Sequence, residues 1–414
     1  MQKSDFSEII GYDRVKEELC IIGDMFSNPA KYEKIGATVP KGILLEGEPG
    51  IGKTTFAETF MAASGVNTYV IRRNKDTVAF LEEINRVFME AKENAPSIIL
   101  LDDMDKFVKD KDSFEEFTTV QACIDSVQKS TVLVIATVNN LGIIPPSLVR
   151  SGRFDRIIQM LIGEADSQAG NYWKYLIKNE NITIDVEDED ISKLFYAYSP
   201  SMVKSILNDA LILVAFKNED SISKEDLLKA YLKCEQRLYE SSDKYDEKEL
   251  LEIAFHEAGH AVMMETLNPG SIGIVTVEGS SFESTGFVRQ GVEIKNPEHL
   301  LQITLAGKYA EEKYSNRASK GATQDLNRYD AELNRMMLYD GYYGIKYIEN
   351  DLNTASEMFK EELLLEKRRV TERLSKEVKD ILEDNWSTVE RMAKELAVKK
   401  ALLASDIKRL MEAA

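Results

Sequence analysis

The chain has 414 residues, 43% of them apolar, and a net charge of −19 from 52 basic and 71 acidic side chains. That length suits two or three domains with real cores, and the acidic excess argues against a nucleic-acid face, which needs a concentrated basic footprint. No apolar run reaches the ~18–20 residues that span a bilayer, so no membrane segment is expected.

The N-terminus, "MQKSDFSEIIGYDRVKEEL", is charged throughout and has no signal-peptide core. Cys20, Cys123 and Cys234 lie far apart in sequence, which suits apolar fillers in a reducing, cytoplasmic compartment. Over the first ~160 residues, apolar strand-like runs alternate with helical patterns, which predicts an α/β unit with a parallel sheet. The strands are "GILLEG" (42–47), "NTYVIR" (67–72), "SIILLDD" (97–103), "TVLVIATV" (131–138) and "RIIQML" (156–161). Such unbroken apolar strands are expected where helices cover both faces of a sheet.

Between the first two runs, "GEPGIGKT" fits GxxxxGK[ST] at every fixed position, with a strand before it and a helical pattern after it. Gly47, Glu48, Pro49, Gly50, Ile51, Gly52, Lys53, Thr54 and Thr55 are the candidate nucleotide loop. Backbone N–H groups at a helix start favour phosphate oxygens. Lys53 would reach the β- and γ-phosphates of ATP, and Thr54 would hold Mg²⁺. Asp102 ends the third run, where a carboxylate shares that ion. By itself, a strand ending in Asp-Asp is also an ordinary turn signal. Asn139 closes the fourth run, where an amide could orient the attacking water.

Residues 163–240 read as several helices, a lid to the 1–162 unit. The charged stretch "RLYESSDKYDEKEL" places a boundary near Ser241, and 241–414 forms the last domain. Its first helix carries "AFHEAGH", with His256 and His260 four residues apart. HExxH on a helix puts both imidazoles on one face within reach of a single Zn²⁺. Glu257 between them can take a proton from water activated by the ion and pass it to a leaving amine. A catalytic zinc needs a third protein ligand. His299 reads as a surface or capping residue, and spacing does not choose among the many acidic side chains. "SIGIVTVEG" and "STGFVRQ" read as short strands, and residues from ~297 to the end as helices.

The order of these motifs resembles an AAA+ ATPase, and their detail is similar to the FtsH-type ATP-dependent zinc metalloproteases. "FSEIIGYDRVKEEL", "PKGILLEGEPGIGKT", "SIILLDDMD", "PPSLVRSGRFDR" and "SKGATQDLNRYDAEL" carry the resemblance, which runs from Phe6 to Leu410. It implies an α/β AAA+ core with a helical lid, followed by a mainly α-helical zinc metallopeptidase domain. It makes Asn139 the first sensor, Arg150 and Arg153 arginine fingers on a neighbouring subunit's ATP, and Asp325 the third zinc ligand. It also implies a closed ring, a homo-hexamer, acting on protein substrates. "SSFESTGFVRQG" resembles the family's edge strand beside the zinc, where a substrate adds as an extra strand; a merely structural strand is the equal alternative.

Three departures stand out. Asp103 occupies the place of the family's water-activating glutamate, one methylene short, so weak ATPase activity is expected. "VIRRNKDTVAFLEEINRVF" lacks the aromatic–apolar–glycine triplet of the family's pore loop, which disfavours threading of folded proteins. The family's N-terminal membrane segments are absent from these residues. Two other readings stay open: a nucleotide-gated ring scaffold or chaperone with little hydrolysis, and a zinc peptidase whose ATPase domain only controls assembly.

Overall fold

A computed structural model describes residues 1–107, 115–162, 172–178, 182–236, 245–278, 286–317, 322–343 and 355–413. The chain divides into two compact units, Met1–Trp173 with Ala197–Lys204, and Lys174–Tyr196 with Ser205–Ala414. A separate lid over 163–240 and a boundary near Ser241 stay proposals, because 163–171 and 237–244 lie outside the described residues.

The first unit runs α1 (Asp13–Ser27), α2 (Pro29–Glu33), β1 (Gly42–Glu46), α3 (Lys53–Ser64), β2 (Asn67–Arg72), α4 (Thr77–Glu93), β3 (Ser97–Asp102), α5 (Glu115–Val127), β4 (Val132–Val138) and β5 (Arg156–Gln159). The strands form one sheet in the order β2-β3-β4-β1-β5, parallel at every pairing. Each matches a predicted apolar run to within two residues. Alternation of side chains across the strands builds a core on each face. Leu44, Ile99, Leu101 and Val134 pack with Phe80, Phe88 and Phe117 of α4 and α5. Ile43, Leu45, Leu100 and Ile135 pack with Leu19, Phe56 and Phe60 of α1 and α3. Each such side chain stabilises the fold by roughly 1.5–3 kcal/mol when fully buried, an upper estimate. This sheet lines up the ends of β1, β3 and β4, where the nucleotide motifs lie.

The second unit holds β6 (Thr183–Asp185), α6 (Asp188–Leu194), most of α7 (Pro200–Lys217), β7 (Ser221–Ser223), α8 (Lys224–Gln236), α9 (Glu247–Leu267), β8 (Ile272–Thr276), β9 (Phe287–Gln290), α10 (Pro297–Ser315), α11 (Thr323–Leu338), α12 (Glu357–Asp384), α13 (Trp386–Lys399), β10 (Ala401–Leu403) and α14 (Ala404–Glu412). It is mainly helical, with two corrections to the sequence reading. β6 and β7 form a parallel pair inside the stretch read as several helices. β10 pairs antiparallel with β8 inside the C-terminal stretch also read as helices, giving a sheet in the order β10-β8-β9. Three-residue strands are too short to show a period of two.

α9 opens on a capping box: Asp246 accepts from the Glu249 N–H at 2.8 Å, and Glu249 accepts from the Asp246 N–H at 3.3 Å. From Ala254 to Glu265 every residue of α9 is buried, so this helix runs through the core. α12 instead buries one stripe, Phe359, Leu363, Val370, Leu374, Val378 and Leu382, at helical spacing. No helix among the described residues is long and apolar enough to cross a membrane.

Candidate functional site

Two chemical sites emerge, one in each unit. In the first, Gly52 caps α3 with φ +98°, a left-handed conformation that turns the loop into the helix start. Lys53 is buried and folds back over the loop, donating to the carbonyls of Gly47 (2.7 Å) and Glu48 (2.8 Å) and to Asn139 Oδ1 (2.8 Å). Burial lowers its pKa, and Asp103, Asp105 and Asp102 oppose that shift. The other arm of Asn139 donates to Asp105 Oδ2 at 3.0 Å. Asp102 is buried at the end of β3, where its Oδ1 accepts from the hydroxyls of Thr54 (2.7 Å) and Thr137 (2.8 Å). Burial alone would raise its pKa, but bonds from Thr54, Arg72 and Thr137 hold it below the ordinary value. Lys53, Thr54, Asp102 and Asn139 are therefore brought together.

Asp103 is placed differently. Its backbone is left-handed (φ +54°), its N–H donates to Thr137 Oγ1 at 2.7 Å, and its carboxylate accepts from Lys106 at 2.7 Å. The two candidate arginine fingers also separate. Arg153 is buried and holds Asp125 through two bonds, at 2.9 and 2.7 Å, while Arg150 is exposed. Arg153 thus has a partner within its own chain.

The β2–α4 link, in the stretch expected to lack a substrate-gripping triplet, is short. Only residues 73–76 join β2 to α4, and Asp76 caps α4 by accepting from the Ala79 N–H at 3.1 Å. Arg73, with its side chain 6% exposed, pairs with Glu116 and lies over the Phe80 ring. Phe80 is fully buried, edge-on to Phe107 with ring centroids 4.9 Å apart. This aromatic is a core residue.

In the second unit α9 presents both imidazoles to one point. The two Nε2 atoms lie 3.1 Å apart, and Asp325 Oδ2, from the first turn of α11, lies 2.9 Å from that of His256 and 3.3 Å from that of His260. These separations approach the edge of a zinc tetrahedron, roughly 3.3 Å for bonds of 2.0–2.1 Å. The outer nitrogens are also held: His256 Nδ1 is 3.0 Å from Glu311 Oε2, and His260 Nδ1 is 2.6 Å from the Ile303 carbonyl. Donating there, each ring turns its Nε2 lone pair inward, the arrangement that orients metal-binding histidines. Glu311 was not singled out by the sequence. It sits on α10 among many acidic residues, and only the packing of α10 against α9 selects it.

The electrostatics call for a cation. Burial would lower the pKa of His256, yet Asp325 and Glu311 push it up to about 10. Asp325 is held well below the usual carboxylate range by the two imidazoles, against its own burial. A proton on His256 here occupies the place a metal ion would take. His256, His260 and Asp325 form a donor set of two nitrogens and one carboxylate oxygen, which fits a three-ligand zinc site with one open position.

Glu257 is buried beside this cluster, and burial pushes its carboxyl pKa up while the imidazoles pull it down. The chain crosses it closely at Gly286, just before β9. A Cβ on Gly286 would lie 2.8 Å from Glu257 Oε1 and 2.6 Å from the Thr276 carbonyl, so only glycine fits. β9 is an edge strand of the sheet, and Phe287 and Val288 help line a cavity of about 460 Å³ over the two histidines and Glu257. Residues 280–285 of the "SSFESTGFVRQG" segment and 319–321 of "SKGATQDLNRYDAEL" lie outside the described residues. His299 takes no part: its Nδ1 is 3.0 Å from Asn268 Oδ1 near the start of α10.

Residues 43–161 match the ATPase family associated with various cellular activities (AAA). The chain is similar to proteins named ATP-dependent zinc metalloprotease FtsH from three bacteria. That of Streptobacillus moniliformis is 29% identical over 98% of this chain and 64% of its own length. For Leptotrichia buccalis the figures are 30%, 98% and 57%, and for Helicobacter pylori 28%, 98% and 70%. The chain thus spans 64% and 57% of the length of the first two of these curated relatives. With an AAA core, a mainly helical second unit and similarity along nearly its whole length, the chain belongs to the FtsH-type AAA+ family, as a divergent member.

Proposed function

We propose that this chain is an ATP-dependent zinc endopeptidase that acts on unfolded or weakly folded proteins as a closed ring of copies, a hexamer, in the cytoplasm. The observation that carries the reading is the convergence of His256, His260 and Asp325 on one point with Glu257 beside them. These three residues would hold Zn²⁺, which when bound acidifies a water and polarises the scissile carbonyl. Glu257 takes the proton from that water and delivers it to the leaving amine. Glu311 and the Ile303 carbonyl fix the two rings. The edge strand β9 holds the peptide extended through main-chain hydrogen bonds, which makes selection by sequence weak.

In the first unit the nucleotide loop and Lys53 bind the phosphates of ATP, and Thr54 and Asp102 are the residues that would hold Mg²⁺. Arg150 reaches toward a neighbouring copy. Arg153, bound to Asp125, positions that segment. A second reading is favoured by a specific observation: Asp103 turns to Lys106, and the β2–α4 link is short and pinned. Nucleotide then governs assembly of the ring, with slow hydrolysis and little pulling. Casein cleavage with ATP and with a non-hydrolysable analogue separates the two. Cleavage only with hydrolysable ATP supports coupling; equal rates support control by binding. Loss of cleavage in chelator and in Glu257→Gln tests the peptidase itself, and cleavage persisting in both would refute it.

A further inference from the structure

Arg72 is the last residue of β2, directly across the sheet from Asp102 at the end of β3. Its Nε donates to Asp102 Oδ2 at 2.8 Å, and its Nη2 donates to Glu58 Oε1 on α3 at 3.0 Å. The other oxygen of Asp102 already takes the Thr54 and Thr137 hydroxyls. Each oxygen of this carboxylate, whose side chain is 8% exposed, is thus engaged, one of them by a permanent positive charge. Thr54 and Asp102 are also the residues that would hold the nucleotide's divalent ion. An ion entering there must share Asp102 with a guanidinium or displace it, and like charges at this range repel.

We propose that Arg72 is a resident counter-cation of the nucleotide site, competing with the divalent ion for Asp102, so that nucleotide binds with little dependence on Mg²⁺. This rests on the nucleotide-binding reading given above and goes beyond it, because it concerns which cation the site uses. Arg72 is half exposed at the end of β2, so Arg72→Ala removes no buried apolar side chain from the sheet. Without it, Asp102 is free to take Mg²⁺ together with Thr54.

The test is titration of the full chain with a fluorescent ADP analogue, in Mg²⁺ and in EDTA. For wild type the two affinities agree within about threefold. In Arg72→Ala, Mg²⁺ tightens ADP by about tenfold or more, a modest coupling between two ligands. Arg72→Lys keeps the charge and stays close to wild type. A tenfold Mg²⁺ effect in wild type, or an equally small one in Arg72→Ala, overturns the proposal while leaving nucleotide binding intact. Failure of wild type to bind the analogue in either buffer overturns the nucleotide reading, and this inference with it.

Discussion

The two units carry the marks of their chemistry to different degrees. Around His256 the donor set is closed: three inward atoms lie within 3.3 Å of one another, and both outer ring nitrogens are held. Around Asp102 the phosphate loop is whole, but the neighbouring parts differ. Asp103 points to Lys106, Arg72 donates to Asp102, and Phe80 is buried in the core. The difference teaches that one unit can close a metal-type donor set while, in the other, the charged groups beside a whole phosphate loop are engaged by neighbours within the chain.

The largest expected effect would break the comparison at its stronger side. Glu257→Gln should lower casein cleavage by roughly 10²–10⁴-fold with zinc content unchanged, since it removes the proton carrier and no ligand. Cleavage near the wild-type rate would show that Glu257 does not move the proton. On the weaker side, Asp103→Glu should raise ATP turnover, by at most about 100-fold, the cost of an ångström of misplacement. An unchanged or lower rate would mean that the left-handed backbone at Asp103, unfavourable for the longer side chain, decides the matter.

Glu311→Gln probes the shell behind the metal and should weaken zinc affinity about 10- to 100-fold, measured by competition with a chelating dye. An unchanged affinity would make Glu311 a bystander. The same shell sets a proton balance. With its pKa near 10, His256 carries a proton at pH 8 in the metal-free protein, and metal binding requires its lone pair. Zinc uptake at pH 8 should therefore release about one proton from this ring, read from the dependence of binding heat on buffer ionisation. An ordinary histidine would release none, and Glu311→Gln should reduce the release. The sign for stability follows too. A folded pKa raised above the unfolded one stabilises the metal-free unit below about pH 6.5, and that contribution is lost as pH rises toward 10. The smallest effect is Asp246→Ala at the start of α9, expected to cost about 1 kcal/mol in a denaturant melt. No change would mean that the capping box is not needed to start a helix this deeply buried.

The central sheet was legible because its strands are buried on both faces and so read as apolar runs. β6, β7 and β10 were not, since three residues show no period. The two histidines announced their own face of α9. Asp325 was named by resemblance, because spacing could not choose it. Glu311 and Arg72 escaped the sequence for a common reason: each is one charged residue among many, selected only by which helix packs on α9 or which strand lies beside β3. The left-handed turn at Asp103 is likewise a product of tertiary context, where the Thr137 hydroxyl takes the Asp103 N–H.

The central claim is that His256, His260 and Asp325 hold one metal ion. Its most direct measurement is zinc per chain after dialysis against a weak chelator, for wild type and Asp325→Ala, with melting curves to confirm folding. One zinc per wild-type chain, and clear loss from the folded variant, is the result the account predicts. Equal zinc retention by Asp325→Ala, or none in folded wild type under conditions that load other zinc peptidases, would contradict it.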